Sequence, residues 1–479
     1  MNSPHENPGA KRIVVLGAGL AGLSAAYELA RAGYQVTVIE KCSEIGGMAK
    51  SLRRGEFTCD LGPHRFYSSK QDPVNHVKGL MGDRLALQER KSTIYLRGKR
   101  YDYPLKVGNV VRNMPPKLLV RIILDYALIR VKDRFRAIPD DSFEHWVVKR
   151  FGWTLYDIYF REYTEKTWGL SCSDISADWA AQRISLLGVW DTIKKTIFKT
   201  RNVARTYISR FFYPTGGGIG EIANAYGGGI ESMGARIICN CTVDRIVMRD
   251  ASRRVSDVVL STDQGPLTLP CDHLLSTIPL TELVQLIKPA AGAPVISAVG
   301  GLNFRSIIFV FVIIARDRFS EDHWIYLPER RFRANRISES KNFNIRNAPP
   351  GKTVLCAEIT CTYGDAVWGM TDDALEKAVV GDLVDVGHSI LQKEEVLESF
   401  IHRMKHAYPI YEIGYKEKLA VVDQWLGEID NLHYFGRNAL FRYNNMDQSI
   451  DMGLIVARDI IEGKRDDFKH VGLEQQWFG

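Results

Sequence analysis

Read along its apolar positions, the chain opens with a compact strand–helix–strand unit. Val14-Val15-Leu16 is a short apolar strand, Leu23 to Arg31 has helical spacing, and Val36-Thr37-Val38-Ile39 is a second strand ending at Glu40. From Val107 to about Ile208 apolar residues recur three to four apart among many Arg and Lys, which predicts helices. One is well marked: Asp140-Asp141-Ser142 can cap it, Glu144 supports its first turn and Gly152 stops it. Strand patterns return at Arg236–Cys241, Thr242–Met248, Val255–Leu260 and His273–Pro279. The longest apolar run, Ile307 to Ala315, is too short to cross a bilayer and predicts a buried strand. Around it, residues 295–425 alternate strands with two expected helices, Thr371–Val386 and Lys393–Ala407, and Leu432–Ile461 closes the pattern.

This order predicts an α/β fold with a Rossmann-like domain that is discontinuous in sequence (1–105, 206–295 and 426–479). A helical insertion (106–205) and a mixed-sheet substrate domain (296–425) complete it. The first two strands belong to a parallel sheet with a right-handed crossover.

The turn between the first strand and helix reads Gly17-Ala18-Gly19-Leu20-Ala21-Gly22, with Glu40 placed 23 residues after the first glycine. Gly17 makes the tight turn, Gly19 lets a pyrophosphate approach the backbone, and Gly22 lets helix and strand pack closely. The helix N-terminus offers N–H groups and a positive dipole end, and Glu40 accepts from a ribose diol. A second glycine pair, Gly46-Gly47, follows Glu40 closely, as backbone passing an extended, permanently held cofactor requires.

Composition changes little in this picture. The 479 residues suffice for two or three domains, and 45% hydrophobic and 25% charged content are ordinary globular values. The net charge of +7 suits an anionic substrate but equally serves solubility, and no basic block interleaved with aromatics argues for nucleic acid. Eight cysteines, at 42, 59, 172, 239, 241, 271, 356 and 361, form no C-x-x-C pair, so no metal site is expected and a reducing, cytoplasmic setting is. Met1 to Arg12 is polar and reads as a loose tail, not a signal peptide.

The glycine-rich stretches together resemble the FAD-binding family that includes amine oxidases, protoporphyrinogen oxidases and UDP-galactopyranose mutases. Further segments resemble the mutases: Gly62-Pro63-His64-Arg65-Phe66; Tyr163-Thr164-Glu165-Lys166-Thr167-Trp168-Gly169, with Arg183 following; Phe304-Arg305-Ser306; and Phe435-Gly436-Arg437 through Tyr443, Met446, Asp447 and Ile450. The resemblance implies FAD as cofactor, held by Gly17, Gly19, Gly22, Glu40, Lys41, Gly46, Gly47, Met48, Val243, Gly436, Met446 and Asp447. It implies His64, Arg305 and Arg437 in catalysis, with a protonated His64 favouring the reduced flavin. It implies Trp168, Arg183, Tyr163 and Tyr443 against a nucleotide-diphosphate sugar. Tyr408 and Tyr326 are further candidate pocket phenols. Asn445 stands where bacterial mutases usually carry an acid, and Tyr213–Gly220 is similar instead to the protoporphyrinogen-oxidase side of the family.

The implied activity is pyranose–furanose interconversion with reduced FAD as covalent catalyst, NAD(P)H being a candidate reductant and cell-surface polysaccharide synthesis the candidate setting. An ordinary flavin oxidase or dehydrogenase is the alternative, and would call for an apolar pocket. A non-catalytic binder, as in GDP-dissociation inhibitors, has no need of the intact glycines and Glu40. A homodimer is left open.

Overall fold

The computed structural model describes residues 11–104, 107–183, 209–249, 253–386, 391–464 and 468–471. Strand β1 (Arg12–Leu16), helix α1 (Leu20–Arg31) and strand β2 (Gln35–Ile39) form the unit expected from the sequence. β1 is the middle of a five-stranded, wholly parallel sheet in the order Leu432–Tyr434, His273–Ser276, β1, β2, Arg236–Ile238. Strands from three distant stretches thus share one sheet, which makes this layer discontinuous in sequence. α1 lies between the helices Glu221–Ser232 and Met446–Glu462. Its approach to the second is very close: a Cβ on Gly453 would meet Ser24 Oγ at 2.1 Å and Ala21 O at 2.4 Å, and Ser24 Oγ donates to Ile450 O at 3.2 Å.

The second layer is a seven-stranded mixed sheet in the order Val396–Pro409, Phe304–Ile314, Thr353–Cys361, Arg336–Glu339, Trp324–Tyr326, Ser92–Leu96, Lys99–Asp102. All 11 residues of Phe304–Ile314 are buried, because both faces of the strand are covered. Ile308, Val310, Val312 and Ile314 pack with Leu375, Val379 and Leu383 of the helix Asp372–Val386. Ile307, Phe309, Phe311 and Ile313 pack with Cys59 and Leu61. A continuous apolar run is the expected signature of such a strand.

Two placements differ from the sequence expectation. The segment expected to be helical at Lys393–Ala407 is instead the 14-residue strand Val396–Pro409. Its apolar residues at 396, 400, 404 and 408 have helical spacing, but pairing with the buried strand beside it decides the outcome: Phe304 to Ile314 register against Pro409 to Val396, and the Phe311 and Phe400 rings stack at 4.6 Å. Residues 92–102 join the mixed sheet through a parallel pairing of Ser92–Ile94 with Trp324–Tyr326, so part of segment 1–105 lies in the second layer.

The described part of the insertion is helical: Val107–Asn113, Pro116–Phe135, Phe143–Phe151, Trp153–Trp168 and Ala177–Arg183. Ser142 Oγ accepts from His145 N at 3.2 Å to cap the third, which Gly152 (φ +83°) ends. The fourth carries a π-helical turn at Tyr156–Arg161, and Tyr159, Phe160, Tyr163 and Thr164 line the main cavity from it. Among the described residues no helix is long and apolar enough to cross a membrane, and no group of three or more His, Cys, Asp or Glu is gathered for a metal.

The helix contact at Gly453 sets a test. Gly453→Val is expected to destabilise the protein by roughly 1–3 kcal/mol through overpacking. Gly381→Ala, in the open on the helix Asp372–Val386, is expected to stabilise it by up to about 1 kcal/mol. Denaturant midpoints of the two variants check both signs.

Candidate functional site

A cavity of about 960 Å³ runs from the β1–α1 turn, between the two sheets, to the inner helices of the insertion. That is the upper end of the roughly 300–1,000 Å³ expected of small-molecule and cofactor sites. Its two ends differ in chemistry.

The first end is backbone. Gly17 (φ +96°) turns the chain out of β1, and a Cβ on Gly22 would lie 2.2 Å from Gly17 O, so that position tolerates no side chain. At Gly19, by contrast, a Cβ would point into open space, with nothing within 4 Å. No side chain caps the N-terminus of α1, and its first turn carries no acid. The amide donors there are left for an anion. Glu40 ends β2 with its carboxylate oriented by two backbone donors, Ala18 N and Cys42 N, both at 2.9 Å. Gly46 and Gly47 have φ of +106° and +58°, and Gly46 N donates to Ala18 O at 2.7 Å, holding the second loop against the first. Lys41, Met48 and Val243 extend this wall. An uncapped helix end, an open backbone approach at Gly19 and an oriented acid fit a dinucleotide such as FAD.

The second end is cationic. His64 sits on the loop after strand Phe57–Asp60, reached through Gly62 (φ +87°), where a Cβ would collide with Glu358 Oε1 at 2.7 Å. Glu358 holds Arg336 through two charge-assisted hydrogen bonds of 2.7 and 2.6 Å. Arg437 lies 4.2 Å from the Tyr443 ring centroid and 4.8 Å from that of Tyr408, the two rings being stacked at 5.1 Å. It donates from Nη1 to Asn444 O at 3.1 Å, while its buried Nε and Nη2 have no partner among the described residues. Arg65 stacks on Tyr67 and Trp324, with Nε buried and unpartnered among the described residues. Each buried donor left unmade costs about 1–3 kcal/mol, so such a group of guanidinium donors calls for an anionic ligand.

Burial, reinforced by Arg336, Arg437 and Arg65, pushes the His64 imidazole down to about 3. His64 is therefore neutral at physiological pH, and the protonated imidazole expected from the sequence gives way to neighbouring guanidinium groups as the source of positive charge. Burial raises the Tyr163 and Tyr408 phenols well above their ordinary value, so both remain neutral hydrogen-bond donors.

Of the residues singled out by sequence, Gly17, Gly19, Glu40, Lys41, Gly46, Gly47, Met48, His64, Tyr163, Val243, Tyr326, Tyr408, Arg437, Tyr443 and Met446 are brought together around the cavity. Gly22 and Gly436 act behind it. A Cβ on Gly436 would lie 2.9 Å from Ala21 Cβ, so this glycine seats the Arg437 loop on α1. Asp447 is buried outside the lining beside Ser68, and burial raises its carboxyl to about 6. Asn445 lines the cavity and caps the final helix in a capping box with Gln448, its Nδ2 donating to Tyr67 Oη at 3.0 Å.

Two expectations are corrected, and a third lies outside the described side chains. Arg305 does not reach the cavity: its Nε donates to Thr167 O at 2.9 Å and its Nη1 to Thr362 Oγ1 at 2.6 Å, tucked under Gly169. It braces the C-terminal end of the helix Glu162–Trp168, where a cation is favourable. Trp168 is a core residue, packed edge-on against Trp179 and Tyr408, and Trp179 is the tryptophan that lines the cavity. Arg183 ends the helix Ala177–Arg183, and its side chain lies outside the described residues. Arg336 was missed, since nothing distinguishes it within Arg330-Arg331-Phe332-Arg333-Ala334-Asn335-Arg336. Arg65, inside a recognised motif, could have been found from its neighbour His64.

Comparison with known proteins agrees with this architecture. The crystal structure of a reduced UDP-galactopyranose mutase superposes with a TM-score of 0.82 over 98% of this chain and 100% of its own, at 22% identity, a likeness of fold. A probable UDP-galactopyranose mutase of Klebsiella pneumoniae is 26% identical over 174 residues, covering 35% of this chain and 43% of that protein. An L-amino-acid oxidase of Crotalus adamanteus is 53% identical over 68 residues, covering 14% of this chain and 13% of that enzyme. The matched stretches thus span well under two thirds of either relative. The sequence profile of one family extends across nearly the whole chain, residues 20–450, and the protein accordingly belongs to the flavin containing amine oxidoreductase family.

Proposed function

We propose that the protein is a flavin-dependent nucleotide-sugar mutase, interconverting pyranose and furanose forms of a sugar carried on a nucleoside diphosphate. The observation that carries this reading is Arg437. Among the described residues its buried Nε and Nη2 have no partner, and it lies in a cavity where Arg65, Arg336 and the neutral phenols of Tyr163 and Tyr408 converge. A leaving diphosphate needs that environment, and a cationic amine does not.

In this reading the β1–α1 turn and the N-terminus of α1 would hold the FAD pyrophosphate and Glu40 the ribose, with Met446 lining the flavin end of the cavity. When bound and reduced, FAD supplies covalent catalysis at the sugar. Arg437 and Tyr443 bind the diphosphate, whose charge rises as its bond to the anomeric carbon breaks, so the interaction strengthens toward the transition state. Arg336 and Arg65 add positive potential, and Glu358 holds the Arg336 guanidinium in place. Neutral His64 contributes a ring N–H or lone pair and no charge. Tyr163 and Tyr408 donate to sugar hydroxyls. The diphosphate returns to the reclosed sugar, leaving no net redox change.

The oxidase reading has one observation in its favour, the identity shared with the Crotalus oxidase over 68 residues. A single screen separates the two. With the flavin chemically reduced, conversion of UDP- or other nucleotide sugars is expected, with none in the oxidised enzyme. Oxygen consumption on amino acids or amines without any sugar conversion overturns the proposal.

Arg437→Ala is expected to retain the flavin while weakening nucleotide-sugar binding roughly tenfold to hundredfold, as removal of charge-assisted hydrogen bonds implies. Loss of flavin in that variant would move Arg437 to the cofactor. A second expectation concerns pH. The folded-state pKa of His64 lies near 3, against 6.5 for a free imidazole, so between these values the unfolded chain binds the extra proton and stability falls as pH is lowered. Denaturant titrations across that window are expected to show the parent losing stability relative to His64→Gln. Parallel pH profiles would mean that His64 is charged in the folded protein.

A further inference from the structure

The helix Pro116–Phe135 has an anatomy that the catalytic cavity does not explain. It is 20 residues long, close to 30 Å at 1.5 Å per residue. One side is anchored: Ile122 and Ile129 are buried, Ile129 in the cluster with Phe143 and Trp146, and a Cβ on Gly152 would touch Asp125 Oδ2 at 2.7 Å. At 3.6 residues per turn, Val120, Ile123, Leu124, Leu128, Val131 and Phe135 fall on the opposite side, within an arc of about 140°. All six are exposed to solvent, Leu124 at 60%, Leu128 at 61% and Phe135 at 87%. The helix is thus apolar on two opposite faces, and only one of them is covered among the described residues.

The charges between the faces are one-sided. The helix carries five Lys and Arg (Lys117, Arg121, Arg130, Lys132, Arg134) and two acids. Both acids turn toward the protein. Asp125 accepts from Thr154 N at 2.7 Å, and Asp133 accepts from Ile138 N at 2.9 Å and faces Arg130 at 4.0 Å. Around the wheel, Arg121 and Lys132 flank one edge of the exposed apolar stripe, Arg130 flanks the other, and Lys117 and Arg134 lie at its ends. Long basic side chains at such edges keep their charge at the polar boundary while their stems cover apolar surface.

We propose that this helix docks the protein on an anionic membrane surface, lying in the plane of the interface with Leu124 and Leu128 near the centre of the inserted face. An apolar stripe with a basic border matches acyl chains beneath anionic headgroups. A second copy of this chain matches less well, because pairing the stripe with itself would bring two basic borders together while the acids that could answer them are turned inward. The helix Phe143–Phe151 on which it packs contributes Phe143 to the cavity lining, so the docked face stands one helix away from the proposed substrate.

The test is flotation of the flavin-loaded protein with vesicles of phosphatidylcholine and phosphatidylserine in a two-to-one ratio. Pure phosphatidylcholine vesicles and light scattering of the protein alone run in parallel. Binding to the mixed vesicles, little binding to the neutral ones, and weakening with salt are expected. Leu124→Ser with Leu128→Ser is expected to abolish binding while flavin content and denaturant midpoint stay at the parent values, both side chains being exposed. Arg121→Gln with Lys132→Gln is expected to weaken binding roughly fivefold per residue. Absence of binding to mixed vesicles, or binding unchanged by the leucine substitutions, overturns the proposal. So does a parent dimer that the leucine substitutions dissociate without affecting vesicle binding, which would assign the stripe to a second copy.

Discussion

The site depends on how few carboxylates face its guanidinium groups. Glu358 answers Arg336 with a two-pronged pair, and Gly62 allows the His64 loop to pass directly over that pair. Arg65 and Arg437 are held chiefly by aromatic faces and leave buried donors unmade. Aromatic rings orient a guanidinium without neutralising it. The cavity therefore keeps a positive potential inside a poorly solvated space, where an incoming anion is worth far more than at the surface. Burial, reinforced by the same potential, holds His64 neutral.

Around this centre the fold works as a set of close backbone approaches. Gly22 against Gly17 O fixes the first turn, Gly436 against Ala21 seats the Arg437 loop on α1, and Gly453 against Ser24 locks the last helix to the first. The last two approaches join stretches far apart in sequence, so the nucleotide cradle and the cationic end share one rigid frame. The π-helical turn at Tyr156–Arg161 belongs to the other wall, where it presents Tyr159, Phe160, Tyr163 and Thr164 to the same space.

What the sequence by itself determined was local. The strand, glycine turn, helix, strand and acid between Arg12 and Glu40 were legible because their chemistry is contiguous: each glycine's task is set by neighbours within a few residues. The Ser142 cap and the Gly152 stop were legible for the same reason, and so was the buried strand after Phe304, whose apolar run admits few other environments. The motifs around His64, Tyr163 and Arg437 pointed to segments that line the cavity.

Only the tertiary structure decided which side chains on those segments meet. Arg305 and Arg336 are both arginines on strands of one sheet, yet Arg336 reaches the cavity because strand register sets it opposite Glu358, whereas Arg305 is captured by Thr167 O and Thr362. Trp168 and Trp179 divide core and cavity between them by how their helices pack. The stretch Val396–Pro409 carries helical spacing and becomes a strand because a fully buried neighbour supplies its hydrogen-bond partners. Side-chain direction and strand pairing are properties of partners distant in the chain, and no local pattern encodes a partner that has not yet been folded into place.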